Sequence, residues 1–273
     1  MPVISTNNAA NSALNYLNNN SSKESGLLSQ LASGSRVVQA SDDAAGLAIG
    51  TQLQASVTTY AQDQTNVQQG TAILQTTDGA LAQISNILQR MMSLATEAGS
   101  GQVTNSQRTQ DINTEYSQLQ SEVTSIVQST RYAGQNVLSG TFLSSVNFLV
   151  GTTSADTINI NISSVSLASL GVTGSVTTAS AALTAITAIN SAINTITQER
   201  AKIGAYESRF NFSLQDIQTN VQNLSASQSV IMDADVASVK STLSSTDVKT
   251  QASVAALTQA AQLPQELLRL IQG

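Results

Sequence analysis

The sequence predicts a mainly α fold: a long antiparallel coiled-coil helical rod with a short β-hairpin insertion and both termini at one end. Three observations carry this expectation. The prolines are Pro2 and Pro264, so the interior lacks the strongest helix breaker. Two long segments repeat apolar residues at seven-residue steps. Between them the chain switches to alternation at period two.

The first helix follows from Gly46, where steps of seven reach Leu53, Tyr60, Val67, Leu74, Leu81, Leu88 and Ala95. Thr77, Ile84 and Met91 interleave in the C-terminal half, while Ser56, Asp63 and Gly70 are weak seam positions further back. The segment from Asp43 to Ala98 therefore reads as one helix of ~80 Å at 1.5 Å per residue. Asp42-Asp43 precedes it and suits a helix N-cap, with charge favourable to the helix dipole, far better than a catalytic dyad. After the Gly99-Ser100-Gly101 turn, Ile112, Tyr116, Leu119, Val123, Ile126 and Thr130 make a second, antiparallel helix.

The β insertion comes next. Phe142, Val146, Phe148 and Val150, then Ile158, Ile160 and Ile162, alternate with polar residues on either side of the turn Gly151-Thr152-Thr153-Ser154-Ala155-Asp156. The third helix has the clearest heptad: Ile186, Ile189, Ile193, Ile196, Arg200, Ile203, Glu207, Phe210, Leu214, Ile217, Val221, Leu224, Gln228 and Ile231. Arg200 and Glu207 are expected at the seam's edge with their heads in solvent. The two ends, 1–42 and 233–273, are amphipathic but rich in Ser and Asn. Their apolar area is too small to offset an ordering entropy of about 1 to 2 kcal/mol per residue, so they are expected to order only by packing on each other and on neighbours. The expected organisation is 1–42 and 233–273 as one terminal helical part, 43–138 and 181–232 as the rod, and 139–180 as the variable hairpin region.

Composition excludes many functions. Only 10% of the 273 residues are charged and 3% are aromatic, against roughly 25% charged in an average soluble protein. There is no His and no Cys, which removes metal sites built from those ligands, Ser-His and Cys-His nucleophiles and disulfides. No enzyme, cofactor or metal is expected. Eleven basic against seventeen acidic residues give a net charge of −6, and no basic cluster offers a nucleic-acid footprint. No run of the ~18 to 20 consecutive apolar residues needed to span a bilayer is present. The segment Met1-Pro2-Val3-Ile4-Ser5-Thr6-Asn7-Asn8 lacks the features of a secretory signal, and no loop is spaced for cation ligands. Gly34, Gly46 and Gly50 form no phosphate loop.

Several stretches resemble bacterial flagellins. These are Leu31-Ala32-Ser33-Gly34-Ser35-Arg36-Val37-Val38 with Ser41-Asp42-Asp43-Ala44-Ala45-Gly46-Leu47-Ala48-Ile49, then Gln89-Arg90-Met91-Met92-Ser93-Leu94-Ala95, then Thr130-Arg131-Tyr132-Ala133-Gly134-Gln135-Asn136-Val137-Leu138-Ser139-Gly140. In the C-terminal half they are Ile203-Gly204-Ala205-Tyr206-Glu207-Ser208-Arg209-Phe210, Asn223-Leu224-Ser225-Ala226-Ser227 through Asp233-Ala234-Asp235, and Leu263-Pro264-Gln265-Glu266-Leu267-Leu268.

The resemblance implies a secreted, extracellular filament subunit, exported unfolded by the flagellar type III apparatus and polymerised helically for motility. Its partners would be copies of itself, the export apparatus and chaperone, and cap and junction proteins. It further implies inner-tube packing by Leu14, Leu17, Leu28, Leu257, Leu267 and Leu270, and rod packing by Leu81, Leu88, Ile193, Ile217 and Leu224. Arg90, Leu94 and Glu115 match positions by which an innate immune receptor recognises the family, although departures at Met92, Ser93 and Glu97 imply weak recognition at most. The rival readings are a hook-filament junction protein and a surface adhesin or glycan-binding protein on the same scaffold.

Overall fold

Where proline is absent the backbone does run as helix for very long stretches. The computed structural model describes residues 7–140 and 142–272, with side chains after Gln262 described only at Pro264 and Arg269. Helix α1 spans Asn8–Ser33, α2 Ala44–Gly99, α3 the single turn Asn105–Gln107, α4 Asn113–Ser129, α5 Ala179–Met232 and α6 Val236–Gln272. A π-helical turn, Arg108–Ile112, joins α3 to α4. Strands β1 (Arg131–Tyr132) and β2 (Gln135–Asn136) form one antiparallel pair, and β3 (Val146–Leu149) and β4 (Thr157–Ile160) another. The chain divides into two compact units, one formed by residues up to 55 together with those from 223 onward, the other by 56–222.

In the larger unit, 56–222, the seven-residue series on α2 is buried as the spacing predicts: Val67, Leu74, Leu81, Leu88 and Ala95, with Thr77, Ile84 and Met91 beside them. On α5, Ile189, Ile196, Ile203, Phe210 and Ile217 repeat at seven-residue steps and are equally buried. The two helices run antiparallel. Arg200 forks onto Asp78, with Nε at 2.7 Å from Oδ1 and Nη2 at 3.0 Å from Oδ2. Phe210 meanwhile lies against Gly70.

The companion seam positions on α5 differ from expectation. Ala182, Ala185, Ala192 and Glu199 are buried, whereas Ile186 and Ile193 are half-buried and Arg200 is exposed. The helix packs into a core shared with α2, α4 and the 158–176 segment, so its buried arc is wider than a two-helix seam and centres on small residues. Glu199 is only 4% exposed. Its Oε1 accepts from Lys202 Nζ at 2.8 Å and its Oε2 from the Ser163 backbone amide at 3.3 Å. Arg200 sits at the seam's edge as expected, but its partner is Asp78 on the neighbouring helix.

Local chemistry explains the joints. The turn after Gly99 is organised by Arg108, 6% exposed. Its guanidinium donates to the carbonyls of Ala98 at 2.6 Å, Ser100 at 3.3 Å and Val103 at 3.1 Å, and to Asn105 Oδ1 at 2.8 Å. Thr104 starts α3 with a reciprocal capping box to Gln107. Asn136 stitches the end of α4 to the backbone beyond β2. Its Nδ2 donates to the carbonyls of Val127 and Gln128, and its Oδ1 accepts from the amides of Leu138 and Ser139. The β1–β2 hairpin was not expected. It turns at Ala133-Gly134, both with positive φ (47° and 82°), which is the two-residue turn that matches the twist of paired strands.

The predicted β3–β4 hairpin is present, with Ile158 and Ile160 buried and Val146 and Phe148 half-buried. It is anchored by aromatic packing. Phe148 meets Phe210 edge to face with ring centroids 5.4 Å apart. A Cβ at Gly70 would stand 2.8 Å from Phe210 Cζ and 3.3 Å from Phe148 Cδ1. Gly70→Val is therefore expected to cost about 1 to 3 kcal/mol through overpacking, measured as a lower urea midpoint at unchanged slope.

Tyr116, 1% exposed on α4, has a hydroxyl without a hydrogen-bond partner, and burial pushes its pKa up to about 12. It lines a cavity of about 310 Å³ with Val172, Ala181, Ala185 and Ala188. Because an unpaired buried hydroxyl costs roughly 1 to 3 kcal/mol, Tyr116→Phe is expected to raise the melting temperature. A raised acid pKa means the unfolded chain ionises first. The wild type should therefore lose this part of its stability as pH climbs from about 10 towards 12, and the Phe variant should not.

Candidate assembly surface

In the smaller unit, α1 and α6 lie antiparallel. Their facing positions follow three-four spacing: Ala10, Ala13, Leu17, Asn20, Glu24, Leu27 and Leu31 on α1, against Val239, Leu243, Thr246, Thr250, Ser253, Leu257, Ala260 and Pro264 on α6. The middle of this seam is polar. Asn20 Nδ2 donates to Ser253 Oγ at 3.1 Å, and Thr250 Oγ1 donates to Glu24 Oε2 at 3.1 Å. Such layers weaken the pairing but fix its register, because any slip leaves half-buried polar groups without partners.

The ends of the two helices are tied by a single asparagine. Asn7 caps α1, its Oδ1 accepting from the Ala10 amide at 3.0 Å, while its Nδ2 donates to the Ala260 carbonyl at 2.6 Å. Ala260 is four residues before Pro264, which lies inside α6. Proline has no N–H to offer that carbonyl, so Asn7 supplies the missing donor. The start of α1 is thereby held beside the far part of α6.

The α1–α2 connection is built on the end of α5. Gly34, at φ 69°, ends α1, and its amide donates to Gln30. The Arg36 amide then donates to the Met232 carbonyl at 2.6 Å, the Ala234 amide to the Gly34 carbonyl at 2.9 Å, and the Arg36 guanidinium to the Ile231 carbonyl. Asp42 Oδ2 closes the loop on the amides of Val38 and Gln39, and Asp43 Oδ1 caps α2 at the Gly46 amide, 2.8 Å away. Gly50 allows Met232 to lie against α2, since a Cβ there would stand 2.4 Å from its sulfur.

This unit buries very little. No residue of α1 is buried, and on α6 only Leu243, Thr246 and Ala260 are buried among the described side chains. Leu14, Tyr16 and Leu28 on α1 and Val236, Val248 and Val254 on α6 are exposed, from 43% for Leu14 to 68% for Tyr16. Tyr16 and Asn20 also border a shallow groove floored by Ala13, Ala252 and Ala256, with Lys249 at its edge.

The residues singled out from sequence fall in different places. Leu14 and Leu28 face outward, and Leu17 and Leu257 are half-buried in the α1–α6 seam. Leu267 and Leu270 lie on α6 but outside the described side chains. Leu81, Leu88 and Ile217 are buried, Ile193 is half-buried, and Leu224 is half-buried in the smaller unit. Arg90 and Glu115 form an exposed ion pair at 2.6 Å. Leu94, only 3% exposed, does not share their surface: it follows Met91 on the heptad and turns into the core. The polar seam, Asn7 and Arg108 were not singled out. Their signal was an Asn and a Glu on an apolar repeat, and an Asn capping a helix whose partner carries proline.

Among the described residues no group of three or more acidic side chains gathers to hold a metal ion. One stretch of α5 is long and apolar enough, by length and composition, to cross a membrane. Its Ile189, Ile196 and Ile203 lie in the core described above.

The sequence matches the bacterial flagellin N-terminal helical region over residues 4–142 and the bacterial flagellin C-terminal helical region over 186–271. The chain belongs to the bacterial flagellin family. It is similar along nearly its whole length to the flagellar filament 30.7 kDa core protein of Treponema maltophilum, with 31% identity covering 98% of this chain and 99% of that one. The flagellin of Bacillus subtilis (strain 168) is likewise 31% identical over 98% and 99% of the two chains. Among solved structures, the Bacillus cereus flagellin crystal structure superposes with a TM-score of 0.51 at 31% identity, covering 60% of this chain and 94% of that one. A Vibrio parahaemolyticus chain described as a flagellar hook-associated protein reaches a TM-score of 0.59, covering 70% and 99%, but at 14% identity that likeness shows the fold alone. The family is one of structural filament subunits, so the protein is not an enzyme.

The Asn7–Ala260–Pro264 arrangement is open to a double-mutant cycle. Asn7→Asp keeps the cap but loses the donor, and should destabilise the α1–α6 pair by about 1 kcal/mol. In a Pro264→Ala background, where Ala260 regains a helical donor, the same substitution should cost little. Far-ultraviolet circular dichroism melts of all four chains check it.

Proposed function

We propose that this filament subunit polymerises helically through the outward faces of α1 and α6, and that Leu14 and Leu28, with Leu17, Leu257, Leu267 and Leu270, supply the apolar contacts of the inner tube. The observation that carries this is the exposure of Leu14, Tyr16, Leu28, Val236, Val248 and Val254 on two paired helices that bury almost nothing on each other. Unpartnered apolar surface of this kind marks a protein-binding face, and in a family of filament subunits the partner is another copy of the chain. Leu81, Leu88, Ile193 and Ile217 pack the rod within the larger unit, while Leu224 packs within the smaller one.

The subunit leaves the cell unfolded through the growing flagellum and acts in the extracellular filament, in company with an export chaperone and with cap and junction proteins. Export in the unfolded state agrees with a chain that has no disulfides to form and whose terminal helices gain their stability from neighbours. The exposed Arg90–Glu115 pair supports at most weak recognition by an innate immune receptor, since Leu94 is withdrawn into the core. The hook-filament junction and adhesin readings are not favoured, because relatives matched over nearly their whole length are a flagellar filament core protein and a flagellin.

The decisive experiment replaces Leu14 and Leu28 with Ser in the full-length chain. Each leucine buried on assembly contributes roughly 1.5 to 3 kcal/mol, so the critical concentration for polymerisation should rise at least about tenfold. The monomer's circular dichroism should not change, because neither side chain is buried. Removal of 1–42 and 233–273 should abolish tubes seen by electron microscopy. Tubes formed at the wild-type concentration by either variant would overturn the proposal.

A further inference from the structure

The apolar series on α2 is interrupted at Asp63, and the structure buries that residue instead of turning it outward. Its exposure is 1%, and its Oδ2 has no hydrogen-bond partner. A carboxyl group placed this way is costly when ionised, because one side-chain hydrogen bond does not replace the water it loses. One turn further along the same face, Asn66 Nδ2 reaches the Leu149 carbonyl of β3 at 3.5 Å. Gly70 is next, with Phe148 of the same strand lying over it. Asp63, Asn66 and Gly70 thus form the strip of α2 that receives the β3–β4 hairpin.

The hairpin presents a second carboxylate to this strip. Asp156 closes the turn between the strands: its Oδ2 accepts from the Thr153 amide at 3.1 Å and the Thr153 hydroxyl at 2.7 Å. Its backbone carbonyl accepts from the Val150 amide at 2.9 Å. The charge of Asp156, at the hairpin turn, acts on Asp63. Neither carboxylate is in an ion pair with Lys or Arg among the described residues. Two carboxylates without a cation, one of them buried with an unsatisfied oxygen, therefore act on each other where the hairpin rests on the helix.

We propose that Asp63 is a proton-operated latch for the β3–β4 hairpin, seating it on α2 when protonated and loosening it when ionised opposite Asp156. Burial, then the nearby Asp156, raises the Asp63 pKa, and a hydrogen bond from Asn66 works against them. The sign is set by linkage. A folded-state acid pKa above the unfolded value gives stability that is fully present below the unfolded pKa, about 3.9 for Asp. That stability is lost as pH rises through the folded pKa. Mild acid should therefore tighten the hairpin and neutral pH relax it. The latch lies wholly within the larger unit and does not depend on how subunits assemble.

The test is amide hydrogen exchange of the full-length chain, kept monomeric, between pH 4.5 and 8 and corrected for intrinsic exchange. The amides of Val150 and Ile158 report on the hairpin, and that of Leu88 in the middle of α2 serves as the reference. Relative protection of Val150 and Ile158 is expected to fall about tenfold across this range. Asp63→Asn should abolish the pH dependence and hold protection at its acid level. Asp156→Asn should reduce the dependence but keep part of it, since burial is the larger cause. Protection that rises with pH, or a pH dependence unchanged in both variants, would overturn the latch. Restoration of the acid level at pH 8 by millimolar calcium chloride would overturn it too, by showing that the two carboxylates hold a cation in place of a proton.

Discussion

Phe210 occupies a notch in α2 that exists because residue 70 has no side chain. That contact sets how the larger unit is organised around it. The helices must approach closely there, which fixes the antiparallel register of α5 on α2 and places Arg200 opposite Asp78. It also leaves the ring edge of Phe210 open to Phe148, so the hairpin finds its seat on the same spot. In a chain with nine aromatic residues, one edge-to-face pair over a glycine joins three elements that are distant in sequence. The rest of this unit's core is mainly aliphatic and alanine-rich, drawn from α2, α4, α5 and the 137–176 segment, with Tyr116 also buried.

The smaller unit is built on the opposite principle. Its helices meet through alanines, half-buried leucines and a polar middle, so their pairing gains register more than stability. Asn20 with Ser253, Glu24 with Thr250, and Asn7 with the carbonyl that Pro264 leaves without a donor each answer one question: which residue of α1 stands opposite which of α6. The apolar side chains that could have made the pair strong point away from it. A subunit that joins a polymer benefits from this division. Register is set within the chain, and Leu14, Tyr16, Leu28, Val236, Val248 and Val254 stay exposed on it.

Polar residues inside the heptads carry the least obvious features. Asp63, Glu199 and Arg108 would each be costly if unpaired, and the structure treats them differently. Glu199 receives an amide and a lysine. Arg108 is surrounded by carbonyls at the end of α2, and so holds a turn whose Gly-Ser-Gly sequence has little preference of its own. Of the three, Asp63 alone keeps an unsatisfied oxygen, and it lies where the hairpin meets α2. Tyr116 is the other orphan, but a phenol stays neutral under ordinary conditions, so it lowers stability without responding to pH near neutrality.

Periodicity in the sequence by itself determined the long helices, the turn at Gly99, the cap at Asp43, the β3–β4 hairpin and the buried heptad from Val67 to Ala95. These are local or one-dimensional properties: a repeat of seven without proline leaves few alternatives to helix, and alternation around a turn of small and polar residues leaves few to a hairpin. Only the tertiary structure decided which side of α5 is most buried. That depends on how many partners surround the helix, so the arc centred on Ala185, Ala192 and Glu199 and not on Ile186, Ile193 and Arg200. The same reason took Leu94 from a surface shared with Arg90 and Glu115 into the core. It also turned Leu14 and Leu28 outward, since a leucine on a marginal two-helix seam has two faces to choose from. The β1–β2 turn at Ala133-Gly134 escaped the pattern because two-residue strands are too short to show a period. Sequence spacing names the residues that want burial, and the number and position of packing partners settles which of them receive it from their own chain.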